Sequence, residues 1–145
     1  MLEICPMEEK DLDEVAAIES SLFTMPWSKK NFLDSLLQED TRYLTVKEDE
    51  KVVGYCGFLR SFEEADITNV AVTPSAQGRG IACAMLRELI CLGEAEGIQS
   101  FTLEVRRGNH RAIHLYEKLG FVSEGIRPKF YEKPKEDAVI MWKRG

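Results

Sequence analysis

The chain opens with two segments whose apolar positions recur at helical spacing. Leu12, Val15, Ala16 and Ile18 fall on one side of a helix beginning at Asp11. Phe32, Leu33, Leu36 and Leu37 do the same in a second helix, for which Ser28 is a suitable N-cap. The period then changes. "RYLTVKED", "KVVGYCGFLR" and "ADITNVAV" are apolar runs with short polar joints, the first two turning near Asp49 and Glu50, and they predict three neighbouring antiparallel strands. Ile81, Met85, Leu86, Leu89 and Ile90 restore the helical stripe, and Gly97 stands where a long third helix would end. In "SFTLEV" the period is two, so that Phe101, Leu103 and Val105 share one face while Thr102, Glu104 and Arg106 take the other. A fourth helix is expected from about Asn109 to Leu119, stopping at Gly120. "FVSEGIRPKFY" and "DAVIMWKR" then form a strand pair around "EKPKED".

This order, ααβββαβαββ preceded by a short strand at "LEICPM", predicts an α/β sandwich on a mixed, mostly antiparallel sheet flanked by helices. With 145 residues, 44% of them hydrophobic, and no Gly/Ser/Pro-rich joint, one domain is expected over 1–145. The first residues carry acids and a proline where a secretory leader needs a basic patch and an apolar run. No window approaches the roughly 18 apolar residues of a membrane span, so a cytoplasmic protein with no membrane partner is expected.

Charge narrows the partners. Nineteen Lys and Arg against 25 Asp and Glu leave a formal net charge of -6, and no basic tract is present to neutralise a row of phosphates, which argues against direct nucleic-acid binding. An acidic surface suits either solubility or a basic acceptor. Cys5, Cys56, Cys83 and Cys91 lack C-x-x-C spacing and sit among apolar residues, as small hydrophobes do, so neither a disulfide framework nor zinc is indicated. His110 and His114 share a helical spacing but have no third ligand, and no metal is expected.

The chemistry concentrates at "TPSAQGRGIACAML". A strand, a connection with a proline and a glycine-bearing turn into a helix aim unpartnered N–H groups at one point, which suits a phosphate or pyrophosphate. Arg79 would add formal charge, and Gly80 admits a ligand that a Cβ would fend off. Alternatively, Gly78 and Gly80 serve only a tight turn. No Gly-Lys-Ser/Thr ending supports a nucleoside triphosphatase loop, and the dinucleotide fingerprint fails at Cys83, where its third glycine belongs.

Gln77-Gly78-Arg79-Gly80-Ile81-Ala82 fits the Q/R-x-x-G-x-G/A pattern of the GCN5-related N-acetyltransferases (GNAT family), and "NHRAIHLYEKLGF" at 109–121 resembles their second signature. The resemblance spans nearly the whole chain. It is strongest to the branch that acetylates the N-terminal alanine of ribosomal proteins, through "PWS" at 26–28, "EVRRGN" at 104–109 and "FYEKPKEDAVIM" at 130–141.

The resemblance implies a GNAT fold with acetyl-CoA as co-substrate. The pyrophosphate would lie on Gln77 to Cys83, the pantetheine arm would pair with Val70, Ala71 and Val72, and Asn109 would hold that arm from the other side. Acetyl transfer to an amine needs a neutral amine, a stabilised oxyanion and a proton for the departing thiolate. Glu104 is the expected base and Tyr116 the expected acid, with Trp27 on one lip of the acceptor groove and Phe130 and Tyr131 on the other. Each also has a plain structural reading: Glu104 as a partner of Arg106, Tyr116 as core packing beside Ala112 and Leu119, Trp27 as a loop anchor, Phe130 and Tyr131 as an exposed pair. The expected acceptor is a protein N-terminus, alanine on a small-subunit ribosomal protein. A lysine or small-amine acceptor, or a non-catalytic acyl-CoA-binding module, remains the alternative, and the sequence implies no particular oligomeric state.

Overall fold

Seven strands and four helices follow one another in a computed structural model that describes residues 2–145. Met1, which the single-domain expectation includes, lies outside the described residues. After β1 (Leu2–Pro6) come α1 (Leu12–Leu22), α2 (Lys29–Leu36), β2 (Thr41–Glu48), β3 (Lys51–Ser61) and β4 (Glu64–Val72). The second half comprises α3 (Ile81–Ala95), β5 (Ser100–Arg106), α4 (His110–Lys118), β6 (Val122–Tyr131) and β7 (Glu136–Arg144). Ser28 caps α2 in a reciprocal box: its Oγ accepts from the Asn31 N–H at 3.1 Å, and Asn31 Oδ1 accepts from the Ser28 N–H at 3.0 Å. That helix stops one residue before the apolar stripe does, leaving Leu37 as a C-cap that is 76% exposed.

The strands form one sheet in the order β1-β2-β3-β4-β5-β7-β6, antiparallel throughout except where β4 meets β5. That parallel ladder is short. It joins Glu64, Ala65 and Asp66 to Ser100, Phe101 and Thr102, and stops there. From Ile67 onward the β4 edge that faces β5 carries no ladder. Thr68 is bulged out of register against Gly57 and Phe58 at the same level.

Each face of the sheet has its own core. Phe58, Ile67, Phe101, Leu103 and Met141 pack against Ile81, Met85, Leu86 and Leu89 of α3, with Tyr116 of α4 in the same cluster. On the other face Tyr43, Tyr55 and Ala71 pack against Leu12, Val15 and Ile18 of α1 and Phe32 of α2. The alternation of β5 therefore places Phe101, Leu103 and Val105 under α3 and α4, and sends Glu104 to the side of α1. The cysteine expectation holds for Cys56, which is fully buried; Cys5 and Cys83 are half-buried, and Cys91 is exposed because it falls outside the buried stripe of α3. All four thiols are free. Among the described residues no helix is long and apolar enough to cross a membrane, and no group of His, Cys, Asp and Glu is arranged to hold a metal ion.

Candidate active site

Where the β4–β5 ladder ends, two cavities open, one of about 390 Å³ and one of about 520 Å³. They meet at a common wall made by Val70, Asn109 and Tyr116.

The smaller cavity is built on the turn between β4 and α3. The Gln77 side chain braces that turn by donating to the Val72 carbonyl at 2.9 Å. Gly78 and Gly80 have φ of 79° and 77°, a left-handed conformation that disfavours any Cβ, so the tight turn itself calls for glycine. A Cβ on Gly80 would meet nothing within 4 Å, because the residue faces open space in the cavity. Gly80 is also the N-cap of α3 and offers no side chain, which leaves the N–H groups of Ile81, Ala82 and Cys83 without partners inside the helix. Turn and cradle are thus the same feature. Val70, Ala71 and Val72 line the opposite wall with the unpaired edge of β4.

Arg79 does not line this cavity. Its guanidinium holds both carboxylate oxygens of Glu48, and it keeps that carboxyl below its usual range. The cations that do face the cavity are Arg111 and Lys118 of α4, which the sequence reading passed over. Arg111 Nη2 lies 3.7 Å from where a Cβ on Gly78 would be. A signal was present: Arg111, Leu115 and Lys118 recur at helical spacing and share one face. Asn109 caps the same helix, its Oδ1 accepting from the Ala112 N–H at 3.2 Å.

The larger cavity collects Glu104, Tyr116, Trp27, Phe130 and Tyr131. Glu104 is half-buried, and its side chain makes no hydrogen bond or ion pair among the described residues. The pairing with Arg106 does not form, because Arg106 turns to Glu136 instead, at 3.3 Å. Tyr116 is 8% exposed and belongs to the core, yet it borders both cavities, so packing and site coincide. Burial pushes its phenol pKa up, with smaller contributions from Tyr131 and Cys56, which holds the hydroxyl protonated. Tyr131 is pushed up to about 12 by burial first and then by the Glu104 charge. Asp66, beside Thr102 in the parallel ladder, is pushed up to about 6 by burial and by Glu104, against the opposing pull of Arg127.

Trp27 packs on Phe32 with ring centroids 5.2 Å apart, so it anchors its loop and also walls the cavity. Phe130 and Tyr131 contact each other edge to face at 5.0 Å on the opposite lip. The Trp27 loop has a further anchor that the sequence did not single out. Glu19 of α1, 4% exposed, accepts from the Tyr55 hydroxyl at 2.7 Å and from the Trp27 N–H at 3.0 Å. Nothing in "AAIESSL" marks it, since a polar residue among apolar ones in a helix reads as an ordinary solvent-facing position.

Backbone N–H groups and two cations around one cavity suit a phosphate-bearing group, the free β4 edge suits an extended arm, and the larger cavity adds a carboxylate, Glu104, to the protonated phenol of the common wall. These residues fit a coenzyme A thioester and the transfer of its acyl group. The chain matches the acetyltransferase (GNAT) family over residues 12–121 and belongs to it; it is an acetyl-CoA-dependent N-acetyltransferase.

Relatives narrow the comparison. The ribosomal protein bS18-alanine N-acetyltransferase of Escherichia coli (strain K12) is 35% identical over 142 residues, covering 95% of this chain and 94% of the relative. A Bacillus subtilis (strain 168) protein, provisionally described with the same activity, is 38% identical over 137 residues, 94% of this chain and 91% of its own. The crystal structure of the Escherichia coli ribosomal-protein-S18-alanine N-acetyltransferase superposes with a TM-score of 0.92 at 34% identity, over 99% of this chain and 94% of that one. The Ard1 crystal structure from Thermoplasma volcanium gives 0.90 at 27% identity, over 99% and 97%.

Proposed function

We propose that the protein, a single cytoplasmic domain over 1–145, acetylates the N-terminal amine of a protein, with an alanine-first ribosomal protein of the small subunit as its acceptor. The observation that carries this reading is the common wall: Tyr116 borders both cavities, and Glu104 stands on the acceptor side.

Acetyl-CoA supplies an activated acetyl thioester when bound. Ile81, Ala82 and Cys83 present N–H groups to its phosphates along the Gly78–Gly80 turn, Arg111 and Lys118 add charge, and Val70, Ala71 and Val72 offer the backbone edge to its arm while Asn109 closes the other side. Glu104 takes the proton that an ammonium acceptor must lose. Tyr116 holds a proton at the wall and donates it toward the sulfur. Burial raises the pKa of that phenol, so it keeps its proton until the leaving group needs it.

A carboxylate base favours an α-amine over lysine. Exposing the neutral amine at pH 7 costs roughly 1 kcal/mol for an α-amine of pKa about 8 and roughly 5 kcal/mol for a lysine of about 10.4. The lips contributed by Trp27 and by Phe130 and Tyr131 leave a short groove suited to a chain end. The test is to incubate the purified protein with acetyl-CoA and peptides differing only in residue one, with one peptide whose sole free amine is an internal lysine, and to locate acetyl groups by mass spectrometry. The alanine-first peptide is expected to be modified strongly and the lysine peptide little. A lysine peptide preferred tenfold would overturn the N-terminal assignment.

A further inference from the structure

The two lips of the acceptor cavity are not held alike. The Trp27 lip hangs from the buried Glu19, whereas the turn between β6 and β7 closes a hairpin whose outer strand, β6, is an edge of the sheet. Lys133 in this turn and Lys129 near the end of β6 have φ of 50° and 52°, a left-handed conformation that a side chain disfavours, so the end of this hairpin depends on contacts beyond its own backbone.

One guanidinium supplies most of them. Arg106, the last residue of β5, donates from Nη1 to the Pro134 carbonyl at 3.0 Å and to Glu136 Oε1 at 3.3 Å, and from Nη2 to the Glu132 carbonyl at 3.2 Å. Its Cζ also sits 4.4 Å over the centroid of the Tyr131 ring. The planar fork meets three acceptors and a ring face at once, which a lysine ammonium cannot do. Glu136 extends the link: its other oxygen, Oε2, accepts from the Gly108 N–H at 2.6 Å, next to the Asn109 that stands in the common wall.

We propose that Arg106, with Glu136, is the positioning residue of this site, fixing Tyr131 and the 132–134 turn as the acceptor lip and tying that lip to the segment that carries Asn109. This rests on the larger cavity being the acceptor site. Arg106 acts through Tyr131 and the turn, so its removal shows first as loss of acceptor recognition. The pair is half-buried, with side chains 29% exposed on each side, so solvent only partly screens it.

Two measurements test it. In steady-state kinetics, Arg106→Ala is expected to raise KM for the alanine-first peptide about tenfold and lower kcat/KM about a hundredfold, because a misplaced binding wall costs that much, while KM for acetyl-CoA stays within about twofold. Arg106→Lys, which keeps the charge without the fork, is expected to recover only part of the loss. In hydrogen exchange of the protein alone, Arg106→Ala and Glu136→Gln are expected to speed the amides of 107–109 and 129–136 while those of α3 and β3 stay unchanged. Exchange needs no acceptor, so a wild type that ignores the alanine-first peptide refutes the proposed function and leaves exchange to decide the clamp. Unchanged exchange in the turn overturns the clamp, as does a fall in kcat/KM that is equal for both substrates and tracks a lowered Tm. Should Arg106→Ala not fold, Arg106→Lys and Glu136→Gln carry both measurements.

Discussion

The smaller cavity is assembled from two short stretches of chain, 70–83 and 109–118, and its polar groups are mostly backbone N–H and cations. The larger cavity draws on the end of α1 and the loop after it, the middle of β4, the end of β5, the start and one turn of α4 and the β6–β7 turn, and it contains the carboxylates Glu19, Glu104 and Glu132 beside the cations Arg106 and Lys133. A site made from local backbone needs only glycines and a helix start. One made from five distant segments needs each held in place by side chains elsewhere, as Glu19 and Arg106 hold the two lips. The difference explains how one cavity suits an anionic phosphate group while its neighbour, across a wall three residues wide, suits an ammonium.

Removing the carboxylate of the larger cavity or the phenol of the common wall should have the largest effect. Glu104→Gln is expected to lower kcat/KM for the alanine-first peptide by about a hundredfold or more, with the deficit greatest at low pH where the amine arrives protonated. Tyr116→Phe should cost a similar factor across pH. Acetyl-CoA affinity, read by calorimetry, should change little in either; a loss of affinity that matches the loss of rate would make both residues cofactor-binding groups instead of an acid and a base.

The cradle itself comes next. Acetyl-CoA at about a hundred times its Kd should stabilise the wild type by about 2.7 kcal/mol, raising Tm, and Gly80→Ala is expected to remove most of that shift. The variant should also be less stable on its own by about 1 kcal/mol, because its Cβ meets the left-handed backbone. A ligand shift that survives intact would make the turn structural only.

A smaller contrast separates two arginines, Arg79 in the turn before α3 and Arg111 on α4. Arg111→Ala should weaken acetyl-CoA about tenfold, less so at high salt, as expected for loss of a charge-assisted contact to phosphate. Arg79→Ala should change affinity less than about twofold, since Glu48 already holds that guanidinium. The reverse order would return the phosphate contact to Arg79.

The smallest effect concerns stability. Asp66 has a folded pKa of about 6, raised from about 4 in the unfolded chain, so the folded state binds the extra proton between those values. Stability therefore falls as pH rises through that window and stays lower above it. Asp66→Asn should remove the loss, stabilising the fold at about pH 8 by on the order of 1 kcal/mol once solvent screening is allowed for, read as a higher Tm, and giving no advantage at about pH 4. An equal advantage at both values would show that Asp66 packs poorly for reasons other than charge.

Element order was legible because it depends on local periodicity: the stripes of α3 and α4, the alternation of β5 and the capping residues Ser28 and Asn109 all act within a few residues of themselves. The glycine turn was legible for the same reason, since Gly78 and Gly80 show where the backbone turns left-handed. The alternation also placed Glu104 on the face opposite Phe101, Leu103 and Val105, and the second signature singled out Tyr116. What lay beyond the sequence is everything that depends on which distant groups meet. Arg79 read as the cradle's cation, but Glu48 at the end of β2 reaches it, and α4 brings Arg111 and Lys118 into the cavity in its place. Arg106 read as a partner of Glu104, two residues away on the same face, yet the β6–β7 turn comes close enough to take its whole fork. The shortness of the β4–β5 ladder, which opens both cavities, left no mark in either strand. Ladder length depends on how two strands far apart in sequence pack against α1 on one face and α3 on the other, and only the folded chain sets that.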